Sequence, residues 1–156
     1  MARRRQAEKR TVTPDPRFGS SDLSRFINKV MLNGKKTTAQ RIVYGALDIA
    51  ESESRRPGLE VFQQAVRNAM PQVQVRSRRV GGTTYQVPTD VRQERQEALA
   101  MTWIVASARD KSGSSMPIRL AQEIVEASRS QGNAVRRKEE MHRMAEANRA
   151  FAHYRW

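Results

Sequence analysis

VQVRSRRVGGTTYQVPTDV, residues 73–91, breaks the rhythm of the chain around it. On either side apolar residues recur at spacings of three and four, but beyond Pro71 the period switches to two, the spacing of a strand. Gly81-Gly82 at the centre reads as a two-residue turn, so the stretch predicts an antiparallel hairpin over about 73–89. That turn sets Arg78 opposite Tyr85, Arg76 opposite Val87 and Arg79 opposite Thr84. Arg76 and Arg78 then share a face with Tyr85, while Arg79 lies on the other face with Thr84 and Gln86. Neither face is continuously apolar, so the ribbon cannot be sandwiched in a core. An isolated two-stranded ribbon is also marginal in water, which implies that something else orders its tip. Three arginines crowd within four residues and no acid occurs from 73 to 89. That pattern fits a nucleic-acid groove or loop, with Tyr85 as the base-stacking candidate. The plainer alternatives are an exposed hairpin whose arginines blunt its edges, and a Tyr85 ring that packs on neighbouring aliphatic stems.

The flanking segments read as helices. One begins near Ser20 to Asp22 and carries Leu23, Phe26, Ile27, Val30 and Met31 on one face, with Asn33-Gly34 closing it. A second spans about Thr37 to Ser54 with Ile42, Val43, Ala46, Ile49 and Ala50 inward, and Pro57-Gly58 ends the connection. A third carries Leu59, Phe62, Ala65, Val66 and Ala69 as far as Pro71. After the ribbon, Thr89 or Asp90 can cap a long helix to about Arg109, with Leu99, Trp103 and Ala106 on one side. A loop then leads to a helix with Pro117 in its first turn, Ile118, Ala121, Ile124, Val125 and Ser128 inward, and Gly132 as its stop. Asn133 to Trp156 keeps helical spacing through Met141, Met144, Ala145 and Phe151, although its early part is polar for docking. The expected fold is therefore mainly α: a single domain over 20–156 of about six helices, with one protruding β-hairpin between the third and fourth. Residues 1–19 read as a basic N-terminal arm or, equally, as a solvated, disordered tail, with Arg3, Arg4, Arg5, Lys9 and Arg10 ahead of Pro14, Pro16 and Gly19.

Composition narrows the partner. The 156 residues hold 29 Lys plus Arg against 16 Asp plus Glu, a net charge of +13. Such a charge attracts polyanions, and nucleic acid leads that class. The absence of cysteine excludes disulfides, thiolate zinc sites and cysteine nucleophiles, and is compatible with a reducing cytoplasm. The basic start leads into no apolar core of a signal peptide, and no apolar run reaches the roughly 18 residues of a membrane span, so a soluble protein with no membrane partner is expected.

Catalytic constellations fail one by one, so no enzyme and no cofactor are expected. His142 and His153 lie roughly 16 Å apart along a common helix at 1.5 Å rise per residue, too far to share a metal. Glu139-x-x-His142 is half of a di-iron helix motif, but Ala150 stands where the second glutamate would. NGKKT around Lys35 lacks the earlier glycine and the preceding strand of a phosphate loop, and Gly81-Gly82 lacks the third glycine of a dinucleotide site. The acids of RQERQE and RRKEEMHR interleave with bases and read as solvated ion-pair faces.

DLSRFINKVMLNGKKTTAQRIVYGA (22–46), RSRRVGGTTYQVPTDVR (76–92) and MAEANRAFAHYRW (144–156) resemble, in order, segments of the bacterial small-subunit ribosomal protein seven family. The resemblance covers essentially the whole chain. It implies a primary rRNA-binding constituent of the small (30S) ribosomal subunit in the cytoplasm, monomeric within the ribosome, that binds the 3′ major domain and nucleates head assembly. It further implies a place beside the mRNA path and the exit-site tRNA, with ribosomal proteins nine and eleven as neighbours. Carried over by position, it makes Arg3, Arg4, Arg5, Lys9, Arg10, Lys35, Lys36, Arg76, Arg78 and Arg79 the RNA contacts. Lys35 and Lys36 follow a helix C-terminus, where a simple cap cluster is the alternative. DKSGSSM (110–116) and SESRRPG (52–58) carry fewer basic residues than the family pattern and receive no contacts. A double-stranded DNA-binding architectural protein would share the charge and the β-arm, but such arms usually come with dimerisation. An RNA-processing enzyme would need a site these residues do not build.

Overall fold

The structure is a computed structural model that describes residues 11–154. The arm residues Arg3, Arg4, Arg5, Lys9 and Arg10 lie outside that range.

Six α-helices and one hairpin follow in the expected order: α1 (Ser21–Val30), α2 (Lys36–Ser54), α3 (Gly58–Ala69), β1 (Val73–Val80), β2 (Thr83–Asp90), α4 (Gln93–Asp110), α5 (Met116–Ser128) and α6 (Gly132–Ala147), closed by a 3₁₀ turn (Arg149–Tyr154). Ser20 starts α1 by accepting a hydrogen bond from the Leu23 N–H at 3.3 Å, which satisfies one of the orphan donors of the first turn. Leu23, Phe26, Ile27 and Val30 are buried at the predicted spacing, and Phe26 meets Phe62 of α3 with ring centroids 4.8 Å apart. At the centre is α5, packed against α2, α3, α4 and α6. Buried apolar residues from α1 through α6 form one contiguous cluster. The α2–α3 corner is tight enough to require glycine: a Cβ on Gly58 would sit 2.6 Å from the Leu47 carbonyl oxygen.

Several boundaries and faces differ from expectation. Thr89 and Asp90 belong to β2, paired with Gln74 and Val73, because the strand ladder and the Val91 N–H bond to the Gln72 carbonyl use the backbone that a helix cap would need. The buried face of α4 is Ala100, Met101, Ile104, Val105 and Ala108, with Trp103 only partly buried against it. In α5 the fully buried apolar positions are Leu120, Ala121, Ile124 and Ala127, while Ile118 is exposed. Gly132 opens α6 instead of ending α5.

The polar early part of α6 is its docked part. Ala134 and Val135 are buried, and the attachment is a carboxylate as well as apolar surface. Glu123 of α5 is fully buried and accepts the Ala134 N–H at 2.8 Å, replacing the cap that Gln131 does not provide. Lys111 lies 3.1 Å from its other oxygen and 2.8 Å from Glu126. A Cβ on Gly132, whose φ is +89°, would approach both glutamates to 3.1–3.2 Å; only glycine lets α6 begin this close. The helical spacing expected from Asn133 onward holds as α-helix only to Ala147, where the chain tightens into the 3₁₀ turn and the Asn148 side chain turns back to donate to the Met144 carbonyl at 2.8 Å; positions 155 and 156 lie outside the described residues.

Before α1 the chain is fastened by a clasp. Asp15, nearly buried, accepts the Tyr44 hydroxyl at 2.7 Å and the N–H groups of Arg17 and Phe18 at 3.1 and 3.2 Å. Arg17 lies over the rings of Phe18 and Tyr44 and pairs with Asp48 at 2.8 Å. Burial, then the bond to Asp15, pushes the Tyr44 hydroxyl up to about 12.

Candidate nucleic-acid interface

The hairpin register is the predicted one: Arg76 opposite Val87, Arg78 opposite Tyr85 and Arg79 opposite Thr84. Gly81 and Gly82 both have positive φ, +58° and +91°, the pair of left-handed residues that a tight hairpin turn demands. What orders the ribbon lies at its root. Val87 and Val91 are buried there outside the main core, and the hairpin packs against α6 and the 3₁₀ turn. The Tyr85 ring stacks on Tyr154 at 5.0 Å and tilts against Phe151 at 5.3 Å. Its partners are thus aromatic rings of the chain's own C-terminal segment.

The arginines do not stand alone. A groove of about 560 Å³ opens where the hairpin meets the start of α4, and Arg76, Arg78, Arg92 and Arg95 all line it, with Asp90 the one acid among the described lining residues. Arg79 is exposed on the other face of the ribbon. Arg92 and Arg95 were hidden in RQERQE, where arginine and glutamate alternate evenly along the chain. Around the helix they separate: Glu94 and Glu97 line the opposite groove, against α1, where Glu97 pairs with Arg25 at 3.3 Å. The sequence signal was present in the 100° step per residue, but only the position of the hairpin shows which side matters.

Lys35 and Lys36 are both exposed and stand at the opening of α2, Lys35 as N-cap and Lys36 as first residue, with no acid in the first turn. The placement corrects the expected electrostatics. At a helix N-terminus the macrodipole adds to their charge, so the cluster costs stability and raises the local positive potential. The pair therefore does not act as a stabilising C-terminal cap.

Among the described residues no three His, Asp or Glu side chains gather as metal ligands, and no helix is long and apolar enough to cross a membrane. His142 is structural. Its Nε2 accepts the Gln72 N–H at 3.0 Å, tying α6 to the foot of β1. Burial, then the charge of Lys138, lowers its pKa below 6.5. Protonation would set donor against donor. Because the folded value is depressed, the stabilisation is present above pH 6.5 and is lost as pH falls through the folded value. The urea midpoint should fall below pH 6.5 in the wild type, and His142→Gln should flatten that limb. An identical decline in the variant would remove His142 as its cause.

The family described as ribosomal protein S7p/S5e matches residues 2–149. The chain belongs to this family. Small ribosomal subunit protein uS7 of Gemmatimonas aurantiaca is 56% identical over the whole of both chains. The proteins of the same name from Pseudoalteromonas translucida and Afipia carboxidovorans are 56% and 54% identical, again end to end. The resemblance drawn from the three quoted segments is therefore correct, and the non-enzyme reading stands, since the S7p/S5e family consists of structural ribosomal proteins. The arginine groove and the lysine pair are the exposed basic surfaces presented by the hairpin with the start of α4 and by the opening of α2.

Proposed function

We propose that the chain is a structural constituent of the small ribosomal subunit, in the cytoplasm, that holds the 3′ major domain of the subunit's rRNA and helps to nucleate the head. Family membership supports the ribosomal assignment. The observation that carries the RNA contact is the groove in which four guanidinium groups from two elements converge while the neighbouring glutamates face away. Phosphates supply the affinity: each neutralised phosphate releases counterions, and arginine's planar fork engages phosphate oxygens two at a time. Shape supplies selectivity, because side chains cannot read the deep major groove of A-form RNA. Arg76 and Arg78 act with Arg92 and Arg95 in the groove, Arg79 contacts RNA from the opposite face, and Lys35 and Lys36 form a second contact point. Arg3, Arg4, Arg5, Lys9 and Arg10, outside the described residues, add further charges for phosphate. Tyr85 acts through the hairpin's position, since its ring is engaged by Tyr154 and Phe151. The protruding hairpin is the element suited to reach the exit-site tRNA, the mRNA path and ribosomal proteins nine and eleven.

The test is competition for the purified chain between a fragment of the 3′ major domain, tRNA and duplex DNA across a salt series. Preference for the rRNA fragment should persist as salt rises and the electrostatic part fades. Equal competition by all three would leave a generic polycation, and a preference for duplex DNA would favour an architectural DNA binder.

A further inference from the structure

We propose that a groove at the α1–α2 junction receives one unpaired nucleobase of the bound RNA, with Leu32 as the side chain that contacts it; this rests on the RNA-binding reading above. Leu32 is 62% exposed, more than any other large apolar side chain among the described residues. Its exposure is built into the backbone. Asn33 and Gly34 are both left-handed, with φ of +52° and +73°, and the Lys35 N–H closes the turn on the Leu32 carbonyl at 3.0 Å.

Beside it lies a groove of about 300 Å³, whose apolar wall includes Leu32, Ala39 and Ile42 and whose polar rim is Asn33, Lys35 and Thr38. No acid lines it. Apolar wall, amide, hydroxyl and cation are the four elements that an unstacked nucleotide uses: a ring face to cover, base edges that donate and accept, and a phosphate. A protein partner fits less well, because a stable protein interface needs about 800 Å² from each side. A continuous duplex fits less well too, because its bases are stacked away from any side chain. Phosphate contact alone would leave the exposed leucine with nothing to cover. The groove therefore assigns Leu32 to base contact and the neighbouring Lys35 and Lys36 to the flanking phosphates.

The experiment uses the full chain and the 3′ major domain fragment, with affinity measured across a salt series and base reactivity by dimethyl sulfate. Leu32→Ala should weaken binding roughly five- to tenfold with an unchanged salt slope, and should expose one unpaired base that the wild type protects. Leu32→Met should retain both affinity and protection, whereas Lys35→Ala with Lys36→Ala should reduce the slope. The leucine is too exposed for its loss to unfold the core, and circular dichroism checks this. Wild-type affinity and an unchanged footprint in Leu32→Ala, while the wild type still prefers the rRNA fragment, would overturn the base site and leave the RNA reading intact. Loss of that preference in the wild type itself would instead overturn the reading on which it rests. Unchanged RNA binding combined with failure of Leu32→Ala to enter the subunit would assign the groove to a protein neighbour and overturn the proposal.

Discussion

Glu123→Ala should lower the stability of the chain by about 3–5 kcal/mol, the range for breaking a buried, hydrogen-bonded charge pair. The side chain has no exposure to solvent and serves two elements at once: its Oε1 receives the first turn of α6 through Ala134, and its Oε2 faces Lys111 at 3.1 Å. Alanine leaves an orphan N–H in a buried site and a lysine with only Glu126 to answer it. Glu123→Gln, which keeps the acceptor for Ala134 but removes the charge, should cost less. Urea unfolding decides this, through a lower midpoint at unchanged slope. A loss below about 1 kcal/mol would mean that water enters and replaces the carboxylate. The partner adds a pH signature. Burial pulls the Lys111 ammonium down, but its hydrogen bonds to Glu126 and Glu123 more than offset this and hold it above 10.5. A raised lysine stabilises the fold fully below its unfolded value, so the pair's contribution should hold through neutral pH and fade only above about 10.5.

The largest functional effect should come from Arg76, Arg78, Arg92 and Arg95 changed together to alanine. Removing four phosphate-neutralising side chains should reduce the slope of log affinity against log salt by about 3 units, which at about 0.1 M salt is roughly a thousandfold loss of affinity. The helical core does not depend on these side chains, so the far-ultraviolet circular dichroism should be unchanged. The control removes the same charge elsewhere, at the exposed Arg55, Arg56, Arg67 and Arg129, none of which lines the groove. If both quadruple variants lose affinity equally, net charge is what matters and the groove is not the contact surface.

These two predictions fall on features of different legibility. The hairpin's register was open to sequence reasoning, because a period-two run around a glycine pair centres the turn and the rungs follow from it, although its last residues read as a cap for α4. Helices α1 to α3 were nearly as open, since Leu23, Phe26, Val43, Phe62 and Ala65 mark their buried faces by spacing alone. Glu123 was closed to sequence reasoning. It reads there as one more acid on a helix, and its burial is decided by a glycine nine positions later whose missing side chain lets α6 approach. Arg92 and Arg95 were closed for another reason: their importance lies in which side of α4 the ribbon lies against, a tertiary fact. The Tyr85 contacts with Phe151 and Tyr154 join residues more than sixty positions apart, and no local pattern could announce them. Local periodicity encodes elements and their inner faces; the site is made where elements cross.

The hairpin has two strands of eight residues paired without a bulge around a two-residue turn, and that regularity imposes a parity rule on its length. Two residues added to each strand at the tip lengthen the arm by about 7 Å, return the turn to a hydrogen-bonded pair and leave every rung below it in place. One residue added to a single strand must instead be absorbed as a bulge, or it carries Tyr85 to the opposite side and away from Tyr154. The ribbon therefore behaves as a ruler with a fixed zero. Its reach can be reset in paired steps at Gly81-Gly82 while the arginine groove at its foot keeps its geometry.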